Sequence, residues 1–241
     1  SAASDVYKRQ FEEIEKLFGN GVARIVEGLT KISKLSKESN VSLQAENFRK
    51  LLLTLNDDIR VIIIKIADRL HNMQTLDAMP EYKQVKIASE TLYIYAPLSH
   101  RIGLYNIKTE LEDLSFKYTE AVRYEFIKNK IEDSRESQDQ YIKSFSEIIQ
   151  FALAEEGLKY QIKGRSKSIF SINRKMTMQN IPFENVFDKF AIRIIYKATH
   201  RNEKFLAWKI YSIITDHFTP NPTRLRDWIT APKSNGYEAL H

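Results

Sequence analysis

The feature that most constrains this chain is a change of hydrophobic period part-way along it. Up to about residue 151, apolar side chains recur at helical spacing; after Glu155-Glu156-Gly157 they alternate as in a strand. A 3.6-residue period buries one stripe of a helix, and a period of two buries one face of a strand. The expected fold class is therefore multidomain α+β: an all-α first part, then a part with helices packed on a small sheet.

Within the first part, residues 11–18 and 22–29 read as helices separated by Gly19-Asn20-Gly21. Ser39-Asn40-Val41-Ser42 reads as a break before a helix over 43–55 with a polar face. Asn56-Asp57-Asp58 is expected to cap a helix over 59–76. That helix is apolar nearly all round (Val61, Ile62, Ile63, Ile64, Ile66, Ala67), so it is expected to be central and buried. Further helices are predicted over 82–98, 104–118 and 121–151. In the second part the prediction is a strand over 158–163, a helix over 167–178, a strand over 191–196, a helix over 205–218 and a short strand at Trp228-Ile229-Thr230. Residues 1–10 do not continue the helical pattern and are expected to be non-native.

The charge is divided as unevenly as the period. Residues 1–150 carry 22 basic and 23 acidic side chains, whereas 151–241 carry 15 and 8. The positive excess lies wholly in the second part, which points to an anionic partner there, a nucleotide or a nucleic acid, against the bland reading of a solvated basic face. There is no cysteine, which excludes disulfides, thiolate catalysis and cysteine zinc sites and fits a reducing compartment. The longest apolar run, Val61-Ile62-Ile63-Ile64, is far too short to span a bilayer. The N-terminus has no signal-peptide apolar region. The expectation is a cytoplasmic, soluble protein with no membrane partner.

Two groups of residues carry chemistry. On the helix over 59–76, Asp68 and Asn72 project from one face, with His71 a step round. Amid such apolar neighbours Asp68 is expected to be desolvated, hence paired or bound to a cation. From spacing alone, a buried pair with Arg69, Lys65 or Arg60 is favoured, because one carboxylate makes a poor divalent site. The second group begins with Gly164-Arg165-Ser166-Lys167-Ser168 at an expected strand-to-helix junction. There a glycine, helix N–H groups, Arg165 and Lys167 suit phosphate, with Lys175 two turns on along the Lys167–Ser171 face. The spacing is not that of a P-loop. Asp188, just before the strand carrying Arg193, is a candidate Mg²⁺ ligand for nucleotide chemistry. Arg224-Leu225-Arg226-Asp227 is a second basic cluster. Lys233, Asn235, Gly236 and Tyr237 suit phosphate, base edge, turn and base stacking in order. Each of these has a bland alternative, an ordinary hairpin turn at Asn235-Gly236 or a core aromatic at Tyr237. Together with the charge asymmetry, nucleotide binding is the better reading.

These stretches together resemble the RelA/SpoT-homologue family of (p)ppGpp synthetase/hydrolases. The likeness runs from Gln44-Ala45-Glu46-Asn47 through Ala67-Asp68-Arg69-Leu70-His71-Asn72-Met73 and Glu90-Thr91-Leu92-Tyr93 to Val186-Phe187-Asp188 and the segment 231–241. It implies an all-α HD-type hydrolase domain over 11–118, linking helices over 119–156, and a nucleotidyltransferase-like α+β synthetase domain over 157–241. By resemblance the hydrolase removes the 3′-pyrophosphate of (p)ppGpp with Mn²⁺, held in part by Asp68, with Asn72 and Thr75 at the substrate. The synthetase transfers pyrophosphate from ATP to the 3′-hydroxyl of GDP or GTP with Mg²⁺ at Asp188. Arg165, Lys167, Ser171 and Lys175 then lie along ATP. Tyr237 stacks on guanine, with Lys233, Asn235 and His241 around the acceptor, and Arg224 and Arg226 belong to a basic loop of bifunctional members.

The departures are as informative. The family's hydrolase metal site uses a further histidine and a His-Asp pair, and no histidine precedes His71 here. The synthetase uses another carboxylate on a strand that would follow His241, and Asn173 stands where an aromatic is common. Both domains are therefore expected to be incomplete, the chain being an internal piece of a bifunctional parent. The alternatives are a non-catalytic guanine-nucleotide-binding regulatory module and, last, a nucleic-acid-binding module, for which there is no motif. Ribosome contact is expected only through regulatory domains absent from this chain. Loss of the first hydrolase helices is expected to expose apolar groups near residues 62–66 and favour self-association.

Overall fold

The structure is a computed structural model that describes residues 2–35, 58–154, 156–186, 188–233 and 236–241, with side chains described from residue 10 to 30 and throughout the later ranges. The expected break at 39–42, the helix over 43–55 and Asn235 lie outside the described residues. The chain divides into two compact units, residues 1–125 and 126–241.

The first unit is helical. Helix α1 (Ala2–Phe18) and α2 (Asn20–Leu35) meet at Gly19, whose φ of +83° is the left-handed conformation a glycine adopts at little cost. Because α1 starts at Ala2, residues 2–10 continue the helical pattern, which the sequence reading did not expect: the Glu- and Lys-rich helix that follows extends back through them. Helix α3 (Ile59–Gln74) starts at Asp58, as expected from the cap signal. The Asp58 carboxylate accepts the Arg60 N–H at 3.0 Å and holds its guanidinium at 2.7 Å. A 3₁₀ turn (Leu76–Ala78) leads to α4 (Glu81–Glu90), which passes through a π-helical turn (Thr91–Tyr95) into α5 (Ala96–Arg101). Helix α6 (Tyr105–Thr119) completes the packing. Val61, Ile62, Ile66 and Met73 of α3 are buried with Leu98 and Leu111.

Helix α3 is not apolar-buried all round. Ile59, Ile63 and Ile64 are 50%, 44% and 42% exposed. The cause is geometric: a helix with core on one side can bury only the stripe at Val61, Ile62, Ile66 and Met73, whatever its other faces carry. Its contact with α2 is close. A Cβ placed on Gly28 would lie 2.8 Å from Val61 Cγ2, so the two helices approach here through the missing side chain.

Helix α7 (Ala121–Ala154) begins in the first unit and runs through the second. There it packs Ile149 and Leu153 against Ile210 of α9 (Glu203–His217), with Ile162, Ile192 and Ile194 of the sheet partly buried on them. The sheet is a two-stranded antiparallel pair, β1 (Tyr160–Ser166) and β2 (Phe190–Tyr196), in register from Tyr160↔Tyr196 to Ser166↔Phe190. Helix α8 (Ile169–Gln179) and a 3₁₀ turn (Phe183–Asn185) lie between the strands. The α+β class holds. Trp228-Ile229-Thr230, however, is a turn and not a strand. Asp227 Oδ1 accepts the N–H groups of Ile229 and Thr230 at 3.1 and 2.8 Å, and the segment pairs only through an isolated bridge, Asp227↔Leu240, among the described residues. A side chain that captures two local N–H groups removes them from any strand ladder.

Candidate functional site

The antiparallel register places the site. Since Ser166 pairs with Phe190, the residue after β1 meets those just before β2, and the Lys167 N–H extends the ladder by donating to the Lys189 carbonyl at 2.7 Å. Lys167 thereby reaches Asp188, donating to Oδ2 at 2.5 Å. The turn that presents Asp188 is anchored by buried Phe183 and Val186 and by Lys189 Nζ, which donates to the Phe183 and Glu184 carbonyls at 3.2 and 3.3 Å. Helix α8 delivers a second cation. Ser168 caps it by accepting the Ser171 N–H at 3.2 Å, and two turns later Lys175 Nζ donates to the same Asp188 oxygen. Burial pushes the Asp188 carboxyl up, but the hydrogen bonds from Lys167 and Lys175 outweigh it and hold the group at about 2. Burial also holds the Lys167 ammonium below its ordinary value, against the pull of Asp188.

A pocket of about 480 Å³ opens beside this triad, lined by Lys175, Gln179, Asn185, Val186, Asp188, Arg224 and Arg226. Asp188 is its one acid, facing three cations. Gln179 and Asn185 were not among the residues the sequence pointed to. Nothing in the spacing marks them, because α8 and the following turn are brought together only by the chain reversal at Asn180, φ +49°.

The remaining basic residues occupy the outer face of the sheet and a hairpin. Paired residues of an antiparallel ladder share a face, so Lys163, Arg193 and Arg165 lie together, opposite the face that packs on α7 and α9. Arg165 is exposed. The segment 164–168 runs from the end of β1 into the cap of α8, the expected strand-to-helix junction, with Gly164 itself still inside the strand. A Cβ there would sit 3.4 Å from Ile142 Cγ2 of α7, so its close approach is to a helix. The hairpin is tied by exchanged backbone hydrogen bonds between Arg226 and His241 at 3.0 and 3.1 Å and turns at Gly236, φ +75°. Within it Tyr237 Oη and His241 Nε2 are 2.9 Å apart, and Lys233 Nζ stands 5.2 Å from the Tyr237 ring centroid. Burial, then the charges of Lys233 and Arg193, hold the His241 imidazolium below its ordinary value. The structure thus brings Lys175, Asp188, Arg224 and Arg226 to one pocket, with Lys167 joined to it through Asp188 and Ser171 at the cap of α8, and Lys233, Tyr237 and His241 into a hairpin cluster near Arg193.

In the first unit, Asp68, Asn72 and Thr75 share one exposed face of α3 and its end. The expected desolvation of Asp68 does not occur: its side chain is 56% exposed, with Lys65 Nζ at 3.9 Å. Arg69 and Arg60 pair elsewhere, Arg69 with Glu90 at 3.1 Å and against the Tyr95 ring, Arg60 with Asp58. Asn72 Nδ2 approaches Asp68 Oδ1 at 3.5 Å, and the Thr75 hydroxyl donates to the His71 carbonyl at 3.0 Å. Among the described residues no three His, Asp or Glu side chains converge as a metal site. Asp68 alone does not fit a Mn²⁺ centre. Asp188 does fit a Mg²⁺ ion, because Mg²⁺ commonly takes one or two carboxylates and completes its shell with phosphate oxygens.

Comparison with known proteins identifies the whole. The family described as "HD domain" matches residues 1–105, and that described as "Region found in RelA / SpoT proteins" matches 164–241, the part that holds the Asp188 pocket. The chain belongs to the RelA/SpoT-homologue family. It is 43% identical over 231 residues to a probable guanosine-3′,5′-bis(diphosphate) 3′-pyrophosphohydrolase of Synechocystis, covering 95% of this chain and 30% of that protein. It is 42% identical to a GTP pyrophosphokinase of Myxococcus xanthus, with coverage of 95% and 30%. With the bifunctional (p)ppGpp synthase/hydrolase SpoT of Escherichia coli it shares 39% identity, with coverage of 96% and 32%. The chain spans about a third of the length of these relatives. No described helix is long and apolar enough to cross a membrane.

Proposed function

We propose that this chain supplies part of both catalytic regions of a (p)ppGpp synthetase/hydrolase acting in the cytoplasm, with residues 11–118 the hydrolase part, 119–156 the linking helices and 157–241 the synthetase part. The observation that carries the reading is the pocket beside Asp188: one ionised carboxylate among lysines and arginines, inside the segment that matches the RelA/SpoT region. In the transfer, the 3′-oxygen of GDP or GTP bonds to the β-phosphorus of ATP. The bond from that phosphorus to the α,β-bridging oxygen breaks, AMP leaves, and the hydroxyl proton passes to solvent or a base.

Lys167 and Lys175 hold phosphate oxygens, with Ser171 beside them on α8, and Arg165 reaches ATP from the outer sheet face. Arg224 and Arg226 take the far side of the pocket. Tyr237 stacks on the guanine, with Lys233, Asn235 and His241 around the acceptor. Mg²⁺, when bound at Asp188, withdraws charge from the transferred phosphates. In the hydrolase part Asn72 and Thr75 face (p)ppGpp, next to Asp68. Ribosome contact belongs in this reading to regulatory domains outside this chain. The second reading is a guanine-nucleotide-binding module without turnover, in which both catalytic sites are incomplete and the guanine and phosphate contacts remain.

The test is turnover on this chain, ATP plus GDP with Mg²⁺ and separately ppGpp with Mn²⁺, resolved by chromatography. Synthetase product lost in Asp188→Asn supports the enzyme reading. Silence in both arms, with guanine nucleotide bound and Tyr237→Ala abolishing that binding, supports the binding module.

A further inference from the structure

Trp228 has no role in the reading so far, yet its indole belongs to the hairpin cluster. Lys233 Nζ stands over two rings at once, 4.7 Å from the Trp228 ring centroid and 5.2 Å from that of Tyr237. The backbone brings the three together. The Trp228 N–H donates to the Ala239 carbonyl at 3.0 Å, next to the exchanged pair of Arg226 and His241, so Trp228 lies on the same face as Ala239 and His241. The Lys233 N–H donates to the Tyr237 carbonyl at 3.2 Å and closes the turn. We propose that Trp228 is the positioning residue for Lys233: it holds the ammonium group beside the Tyr237 ring with its charge intact, so that the hairpin favours a guanosine diphosphate over the bare nucleoside. The inference rests on the reading of the hairpin as the acceptor site and adds to it the residue that orders its lysine.

Other lysines of the second unit rest on acids: Lys167 and Lys175 on Asp188, Lys209 on Glu156 and Lys130 on Glu184. Lys233 has no carboxylate partner among the described residues and has two ring faces instead. An exposed lysine without a partner keeps the rotamer freedom of its four-carbon stem, and a phosphate that captures it must order the whole stem. Ring faces order it beforehand. They attract an ammonium group through their quadrupole and carry no net charge, so they fix the group without cancelling its field. A carboxylate would also fix it, but an arriving phosphate would then have to displace an anion. The charge of Lys233 is indeed felt by its neighbours: after burial, it is the largest influence that holds the His241 imidazolium below its ordinary value. Tyr237 alone would be a poor holder, because the same ring is the one on which guanine stacks. An indole is the strongest aromatic partner for a cation, and Trp228 keeps the ammonium in place when the base takes up Tyr237. The aspartate turn supports this arrangement. By capturing the Ile229 and Thr230 N–H groups, Asp227 fixes the backbone directly after Trp228.

The test uses this chain with GDP, measured by calorimetry, and with radiolabelled guanosine, measured by equilibrium dialysis. Lys233→Met is expected to weaken GDP binding about tenfold. Trp228→Leu is expected to weaken it about two- to fivefold, and Trp228→Phe by less, since a phenyl ring keeps part of the cation attraction. Guanosine, which has no phosphate for Lys233, is expected to bind Trp228→Leu as it binds the wild type. Trp228→Leu added to Lys233→Met should cost nothing further, because the group it positions is gone. A second readout leaves Trp228 in place. The chain has two tryptophans, so in Trp208→Phe the emission is that of Trp228 alone, and adding Lys233→Met is expected to shift it. An unchanged emission, an equal loss of guanosine and GDP binding in Trp228→Leu, or a full Trp228→Leu effect without Lys233 overturns the proposal. If the wild type binds no GDP, or Tyr237→Ala binds it as the wild type does, the reading of the hairpin as the acceptor site fails as well. If Tyr237→Ala abolishes GDP binding and Trp228→Leu leaves it unchanged, only the role of Trp228 fails.

Discussion

The chemistry of this chain turns on single carboxylates whose surroundings differ. Asp188 and Asp68 are both acidic residues on or beside elements whose neighbours are cationic. Asp188 is gripped by two ammonium groups, whereas Asp68 has one lysine at 3.9 Å and open water. The Asp188 carboxyl stands at about 2 in the folded chain against 3.8 ordinarily, so its stabilising pairing is fully present above pH 3.8 and is lost as pH falls toward 2. Urea midpoints followed by circular dichroism should therefore drop on acidification through that window in the wild type. In Asp188→Asn, which has no proton to take up there, the drop should be shallower. An identical acid flank in both would show that the pairing contributes nothing to stability. The exposure of Asp68 was not legible in the sequence. The apolar residues around it in the chain point away from it round the helix, and only the position of the core decides which of them surround a given side chain.

At the scale of the element, the start of α3 was legible because caps are local, whereas the cap at Ser168, inside the helix expected over 167–178, was not. Asp58 and Ser168 each bond an N–H two or three residues on. Ser168→Ala should lower stability by about 1 kcal/mol, measured by chemical denaturation, and because α8 carries Lys175 it should also weaken binding of Mg²⁺-tripolyphosphate. Gly28 is a different case. In an isolated helix Gly→Ala is favourable by about 1 kcal/mol, but here the new Cβ would press on Val61, itself β-branched and 1% exposed. Gly28→Ala should destabilise the first unit by about 1–3 kcal/mol, read from its thermal transition, and Gly28→Ala with Val61→Ala should recover part of that loss. The turn at 228–230 shows the limit of pattern reading. Two large apolar residues before a threonine have strand propensity, and one aspartate oxygen at Asp227 outcompetes it by capturing the N–H groups of Ile229 and Thr230.

At the scale of the whole chain, the exposed isoleucines of α3 bear on its behaviour in solution. Ile63 and Ile64 stand exposed beside Ile59, and light scattering should find self-association that grows with concentration. Ile63→Lys with Ile64→Lys should reduce it and leave helix content unchanged, since neither side chain belongs to the core. A monodisperse wild-type sample across concentrations would remove that expectation.

The amino-acid sequence by itself determined the division into a helical and a mixed part, the family, the concentration of positive charge in the second part, and most helix boundaries. Period, motif and capping are properties of neighbouring residues, so they can be read without knowing what packs where. The tertiary structure alone decided which stripe of α3 is buried, that Asp68 lies in water, and that the basic residues of β1 and β2 share an outer face. It also decided that Lys167 and Lys175, far from Asp188 in sequence, close on one oxygen of it. Those facts depend on strand register, on the cap that aims α8 and on the reversal at Asn180, and they arise only when the chain has closed on itself.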